Sequence, residues 1–117
     1  MPRKEPPILT ILFKPSLVNL NMTKEEILTQ IRADMPTLKN HFGVNNIGLF
    51  GSYAKRNQSI ESDLDFLVDL NPPYAKHYFD LLFFLEKKFE KKVDLVRRGE
   101  HLTAKFLSHI ENEIVYA

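Results

Sequence analysis

The chain has 117 residues, 44% of them hydrophobic and 11% aromatic, enough for one domain with a core of its own. Its formal charge of +1 gives no overall basic field, so no direct nucleic-acid binding is expected and phosphate-binding charge has to be local. Cysteine is absent, which excludes disulfides, thiolate nucleophiles and sulfur-ligated zinc together and fits a reducing, cytoplasmic setting.

Residues 1–22 read as an N-terminal extension, outside a core domain that occupies 23–117. Pro2, Pro6, Pro7 and Pro15 block regular helix there. Ile8 to Phe13 reads as a strand or as a segment lying against the domain. The apolar run to Leu20 is broken by Lys14 and Pro15 and is too short to cross a membrane, so no membrane is expected. Thr23 and Glu26 have capping-box spacing. The helix they open runs to about His41, with Ile27, Leu28, Ile31, Met35 and Leu38 at helical spacing, and Pro36 should kink or interrupt it. Phe42-Gly43 ends it. Ile47 to Phe50 forms a short buried strand that stops at Gly51, and the polar stretch Ser52 to Asn57 could open a short helix. Ser62 to Leu70 is the second strand, closed by Asn71-Pro72-Pro73.

From Ala75 to Lys92 the pattern is helical, with Phe79, Leu82, Phe83, Leu85 and Phe89 on the apolar side. Val93 to Val96 is the third strand. Gly99 turns the chain into a last helix from His101 to Tyr116, with Leu102, Phe106, Ile110 and Ile114 four apart. Helices alternating with short strands predict an α/β domain, and the helix between the second and third strands suits a crossover between parallel neighbours.

The chemistry concentrates in two strands. Residues two apart on a strand share a face, so Asp63 and Asp65 point the same way while Leu64, Phe66 and Val68 anchor the other side. Two ionised carboxylates so close repel, and a Mg²⁺ ion removes the repulsion. Asp94 stands alone among Val93, Leu95 and Val96; on a neighbouring strand it joins Asp63 and Asp65 on one wall. Three such carboxylates are the ligand set of a two-metal phosphoryl-transfer site. Gly51 and Ser52 supply the phosphate side, because glycine lets backbone approach an anion and N–H groups at a helix start bind it. Lys55 and Arg56 follow one turn later and could hold a triphosphate tail, although both also read as ordinary surface cations. Asp69 reads as structural. His41, His77, His101 and His109 lack metal-ligand spacing. Tyr53 and Tyr74 suit either stacking on a base or packing.

The stretch from Gly51 to Val68 resembles the signature of the minimal nucleotidyltransferases of the DNA-polymerase-beta superfamily. Gly51, Ser52, Ser62, Asp63 and Asp65 match in identity and spacing, and Asp94 matches the later third aspartate. The resemblance covers about residues 23–117 and implies the polymerase-beta-type fold, a small mixed sheet flanked by helices. It implies ATP as substrate, two Mg²⁺ ions on Asp63, Asp65 and Asp94, and nucleotide contacts from Gly51, Ser52, Lys55, Arg56 and Ser62. Where family members often carry Ala-Arg-Gly, this chain has Ala54-Lys55-Arg56, and lysine lacks the bidentate fork of arginine.

Short members of that family resemble the antitoxin half of two-component modules whose partner is a helical HEPN-type ribonuclease toxin. The implied activity is transfer of AMP from ATP onto a toxin hydroxyl, expected to be a tyrosine. Two alternatives remain at this level: a non-catalytic antitoxin or nucleotide-binding module that neutralises its partner by covering it, and a small-molecule nucleotidyltransferase, for which an acceptor domain is missing. The sequence leaves the assembly open between homo- and hetero-oligomer.

Overall fold

The computed structural model describes residues 22–117. The segment Ile8 to Phe13, read as a strand or as lying against the domain, is outside the described residues. Helix α1 (Lys24–Phe42) opens on the predicted capping box: the Glu26 N–H donates to Thr23 Oγ1 at 3.1 Å, and the Thr23 N–H donates to Glu26 Oε1 at 2.9 Å. Pro36 sits inside this helix and does not interrupt it. Its missing N–H orphans a carbonyl on the side of exposed Arg32, where water can satisfy it. Gly43 terminates the helix in the left-handed conformation, φ 63°, with its N–H on the Leu38 carbonyl.

Strand β1 (Val44–Phe50) begins three residues earlier than the sequence pattern suggests. A one-turn helix, α2 (Gly51–Ala54), and a loop lead to β2 (Leu64–Leu70). Helix α3 (Tyr74–Phe89) crosses to β3 (Val93–Arg97). With a short C-terminal strand, β4 (Val115–Tyr116), the sheet order is β3-β2-β1-β4, with β2 and β3 parallel and the other pairs antiparallel. This is the expected mixed sheet with its parallel crossover.

The C-terminal region departs from the single predicted helix. Helix α4 is only Ala104–Ile110, capped by Thr103; the chain then turns, and Val115–Tyr116 forms β4 against Gly48 and Leu49 of β1. The four-residue spacing of Ile110 and Ile114 fits helix, but the free edge of β1 offers backbone partners that another helical turn would forgo. The Ala117 N–H extends the pairing to the Ile47 carbonyl at 2.9 Å.

Central strand β2 is buried on both faces. Leu64, Phe66, Val68 and Leu70 join the main core with Ile27, Ile31 and Leu38 of α1 and Leu81, Leu85 and Phe89 of α3. On the opposite face, Leu67 packs with Phe50 and Ile110, flanked by Phe106 and Ile114. Met22, the last residue assigned to the extension, is itself buried in the main core. Two apolar assignments are overturned: Phe79 and Phe83 are 64% and 68% exposed, because the face of α3 that meets the sheet is the one carrying Leu81, Leu85 and Phe89.

Candidate active site

Strand register brings the acids together. In the parallel β2–β3 pair Asp65 stands directly beside Asp94, and in the antiparallel β1–β2 pair Asp65 stands beside Phe50, the residue before Gly51. Alternation along β2 puts Asp65 on the Leu67 face, away from the main core. Asp65 is half-buried and Asp94 exposed.

The Asp65 carboxyl is pushed up to about 6, first by burial, then by the charges of Asp94 and Asp63, by a hydrogen bond with Asp94, and by the charge of Glu113. An ionised Asp65 is costly here because it is half-buried and has a second carboxylate beside it. Asp63 precedes β2 rather than lying within it, so strict strand alternation does not govern its direction; it acts on Asp65 through its charge. Among the described residues, no three acids or imidazoles form a group that could hold a metal ion. Asp65 and Asp94 stand side by side in register, with Asp63 near enough to act on Asp65 through its charge.

Gly51 is shaped by this pair. Its φ is 79°, and a Cβ at this position would collide with the Asp65 carboxylate. The residue is glycine for two reasons at once, a left-handed backbone and the close approach of an acid. Its N–H donates to Glu113 Oε2 at 2.7 Å. Ser52 follows it at the mouth of the turn, partly exposed.

The predicted cations diverge. Lys55 Nζ lies 3.8 Å from Glu113 Oε1, with the lysine half exposed. Arg56 is turned to the start of α1, where its guanidinium makes a two-pronged ion pair with Glu25, one arm at 2.9 Å. The arginine hydrogen bond holds the Glu25 carboxyl below the usual carboxylate range. Arg56 also has φ 64°, the left-handed conformation that a glycine would adopt without strain. The loop thus keeps the backbone shape suited to glycine while carrying a long cation aimed elsewhere. Ser62 is engaged locally, its Oγ accepting from the Ser59 N–H at 2.9 Å.

Of the two tyrosines, Tyr53 is fully buried in the core and unavailable to a base, while exposed Tyr74 lies under the Arg97 guanidinium at 4.2 Å. Sequence reasoning missed Glu113. Its segment read as helix, and a lone glutamate 62 residues beyond Gly51 carries no local signal.

Comparison with known proteins places these features in a family. Residues 35–117 match the family described as Polymerase beta, Nucleotidyltransferase. The protein adenylyltransferase MntA of Thermococcus cleftensis is 34% identical over 96 residues, covering 81% of this chain and 96% of the relative. A solved structure provisionally assigned as a minimal nucleotidyltransferase superposes with a TM-score of 0.67 at 24% identity, covering 81% of this chain and 96% of the other. A crystal structure of a toxin–antitoxin with AMP-PNP superposes with a TM-score of 0.57 at 21% identity, covering 81% and 72%.

Proposed function

The chain belongs to the polymerase-beta nucleotidyltransferase family, and from that premise we propose that it is an antitoxin that transfers AMP from ATP to a hydroxyl, expected to be a tyrosine, of a HEPN-type ribonuclease toxin. The observation that carries this reading is the Asp65–Asp94 pair, set in register across β2 and β3 beside the Gly51-Ser52 turn.

The pair suits a hard divalent cation. It is an oxygen-only donor set in which burial and the neighbouring carboxylate disfavour the ionised Asp65, and a cation would relieve that cost. Asp65 and Asp94 would hold Mg²⁺, with Asp63 adding negative charge or a ligand. Bound Mg²⁺ supplies charge neutralisation at the triphosphate and acidifies the attacking hydroxyl. Ser52 would bind the phosphates, with Lys55 beside it. The acceptor oxygen forms a bond to the α-phosphorus, the bond from that phosphorus to pyrophosphate breaks, and the acceptor proton passes to exposed Asp94 or to water.

The test is the mass of the partner toxin after incubation with this chain, ATP and Mg²⁺. A gain of one adenylyl unit on a tyrosine, with loss of ribonuclease activity, is the expected result. A second reading, neutralisation by binding alone, draws on the diversion of both predicted cations to protein carboxylates. It prevails if the toxin is silenced while its mass stays unchanged.

A further inference from the structure

Glu113 is held by the fold. The residues around it form a turn, in which the N–H groups of Glu113 and Ile114 both donate to the Ile110 carbonyl at 3.0 Å. Ile114 then packs against the Phe50, Leu67 and Ile110 cluster, and Val115 pairs with Leu49, two residues before Gly51. The side chain is 15% exposed. Its two oxygens divide their work. One accepts the short bond from the Gly51 N–H and the other faces Lys55 at 3.8 Å. A charge-assisted bond from a partly buried amide is a strong tether, whereas an exposed lysine at that distance is a loose one.

The geometry points to Glu113 as a positioning residue of the transfer site: by holding the Gly51 N–H it fixes the turn that presents Ser52 beside the Asp65–Asp94 pair. This rests on the nucleotidyl-transfer reading and extends it to a residue outside the motif. Gly51 is poorly restrained by its own chemistry. Glycine has many backbone states open to it, and a left-handed φ is only one. The carboxylate at its amide selects that state. The cost is a negative charge near Asp65 and near the phosphates. A residue that kept the acceptor oxygen but lost the charge should therefore serve nucleotide binding as well or better.

That asymmetry separates positioning from two other roles. The full chain would be titrated calorimetrically with ATP and Mg²⁺, and with AMP, as wild type, Glu113→Gln, Glu113→Ala and Glu113→Asp, alongside thermal melts. Positioning predicts that Glu113→Gln binds ATP at least as tightly as wild type. Glu113→Ala should lose about tenfold, the scale of one charge-assisted bond, with AMP affinity changed less because AMP lacks the outer phosphates. Glu113→Asp keeps the charge but falls short of the amide; it should behave like the alanine variant and decides the question if the alanine variant does not fold. Tighter ATP binding by both Glu113→Ala and Glu113→Gln would overturn the proposal, since Glu113 would then merely occupy the phosphate position. Equal ATP affinity in all folded variants, whatever their melting temperatures, would also overturn it by reducing Glu113 to a structural tether. Failure of the wild-type chain to bind ATP at all would remove the transfer reading itself, a result distinct from either.

Discussion

The acidic wall and the cationic loop face the same turn but are built differently. On the wall, Asp65 and Asp94 are fixed by the register of the parallel β2–β3 pair, and glycine at position 51 leaves room for one of them. On the loop, Lys55 rests loosely on Glu113 and Arg56 is bound to Glu25 across a solvent-exposed gap. The wall is set by backbone pairing and burial, which resist drift. The loop is set by solvent-screened surface ion pairs, which a triphosphate can outcompete. An acid pair that must meet a cation has to be rigid before binding, whereas cations that follow a flexible phosphate tail can be recruited after it arrives.

The largest expected effect lies on the wall. Asp94→Asn should lower AMP transfer by at least ~100-fold, the scale of one acid–base group. Because Asp94 is one of the two carboxylates proposed to hold Mg²⁺, ATP–Mg²⁺ affinity should fall too, by less than transfer does. Asp65→Asn should damage both. Wild-type transfer by Asp94→Asn, read as adenylyl mass on the toxin, would remove the wall from the mechanism.

Gly51→Ala comes next. A left-handed alanine costs about 1–2 kcal/mol, and crowding the Asp65 carboxylate costs about 1–3 kcal/mol more. Denaturant unfolding should show a loss of about 2–5 kcal/mol on these two scales.

A smaller effect follows from the raised Asp65 carboxyl. The folded state holds its proton up to about pH 6, whereas the unfolded chain releases it near the ordinary carboxylate value of 3.8. In that window the folded state binds more protons, so this group's contribution is full at acid pH and is lost as pH rises through about 6. In metal-free buffer Asp65→Asn should flatten that part of the melting-temperature profile, and Mg²⁺ should raise the wild-type melting temperature at neutral pH.

The smallest effect belongs to the loop. Arg56→Gly relieves a left-handed arginine while losing an exposed ion pair, so the two effects oppose and the melting temperature should change little. ATP affinity should hold within about twofold. A tenfold loss on calorimetry would show that Arg56 leaves Glu25 for the nucleotide, and the contrast between wall and loop would collapse.

Much of the wall was legible in the sequence because its signals are local. Asp65 in an apolar run, Asp94 in another and a helix between them specify a parallel pair, and Gly51 marks the turn. Asp63 was over-read as a strand residue because the pattern does not show that β2 starts at Leu64. Glu113 was hidden by distance. The helical spacing of Ile110 and Ile114 masked a turn whose reason, the open edge of β1, belongs to tertiary structure. Phe79 and Phe83 were misplaced for a related cause: α3 has apolar residues around much of its girth, and only the sheet decides which stripe is buried. Arg56 was visible as a departure from the family pattern, but its partner Glu25 lies 31 residues away and nothing local links them.

The tether between Gly51 and Glu113 also orders events in time. It joins residues 62 apart, so its loop must close before the contact contributes anything, and distant contacts of this kind form late in folding. It depends on β4, a strand of two residues at the sheet edge. Short edge strands open at far lower free energy than the core they flank. The main core can thus stay closed while β4 frays, and amide exchange at Gly51 and Ala117 should run ahead of that at Phe66 and Val68. A chain in that frayed state would keep its core and its acid pair, yet lose the restraint on the Gly51-Ser52 turn.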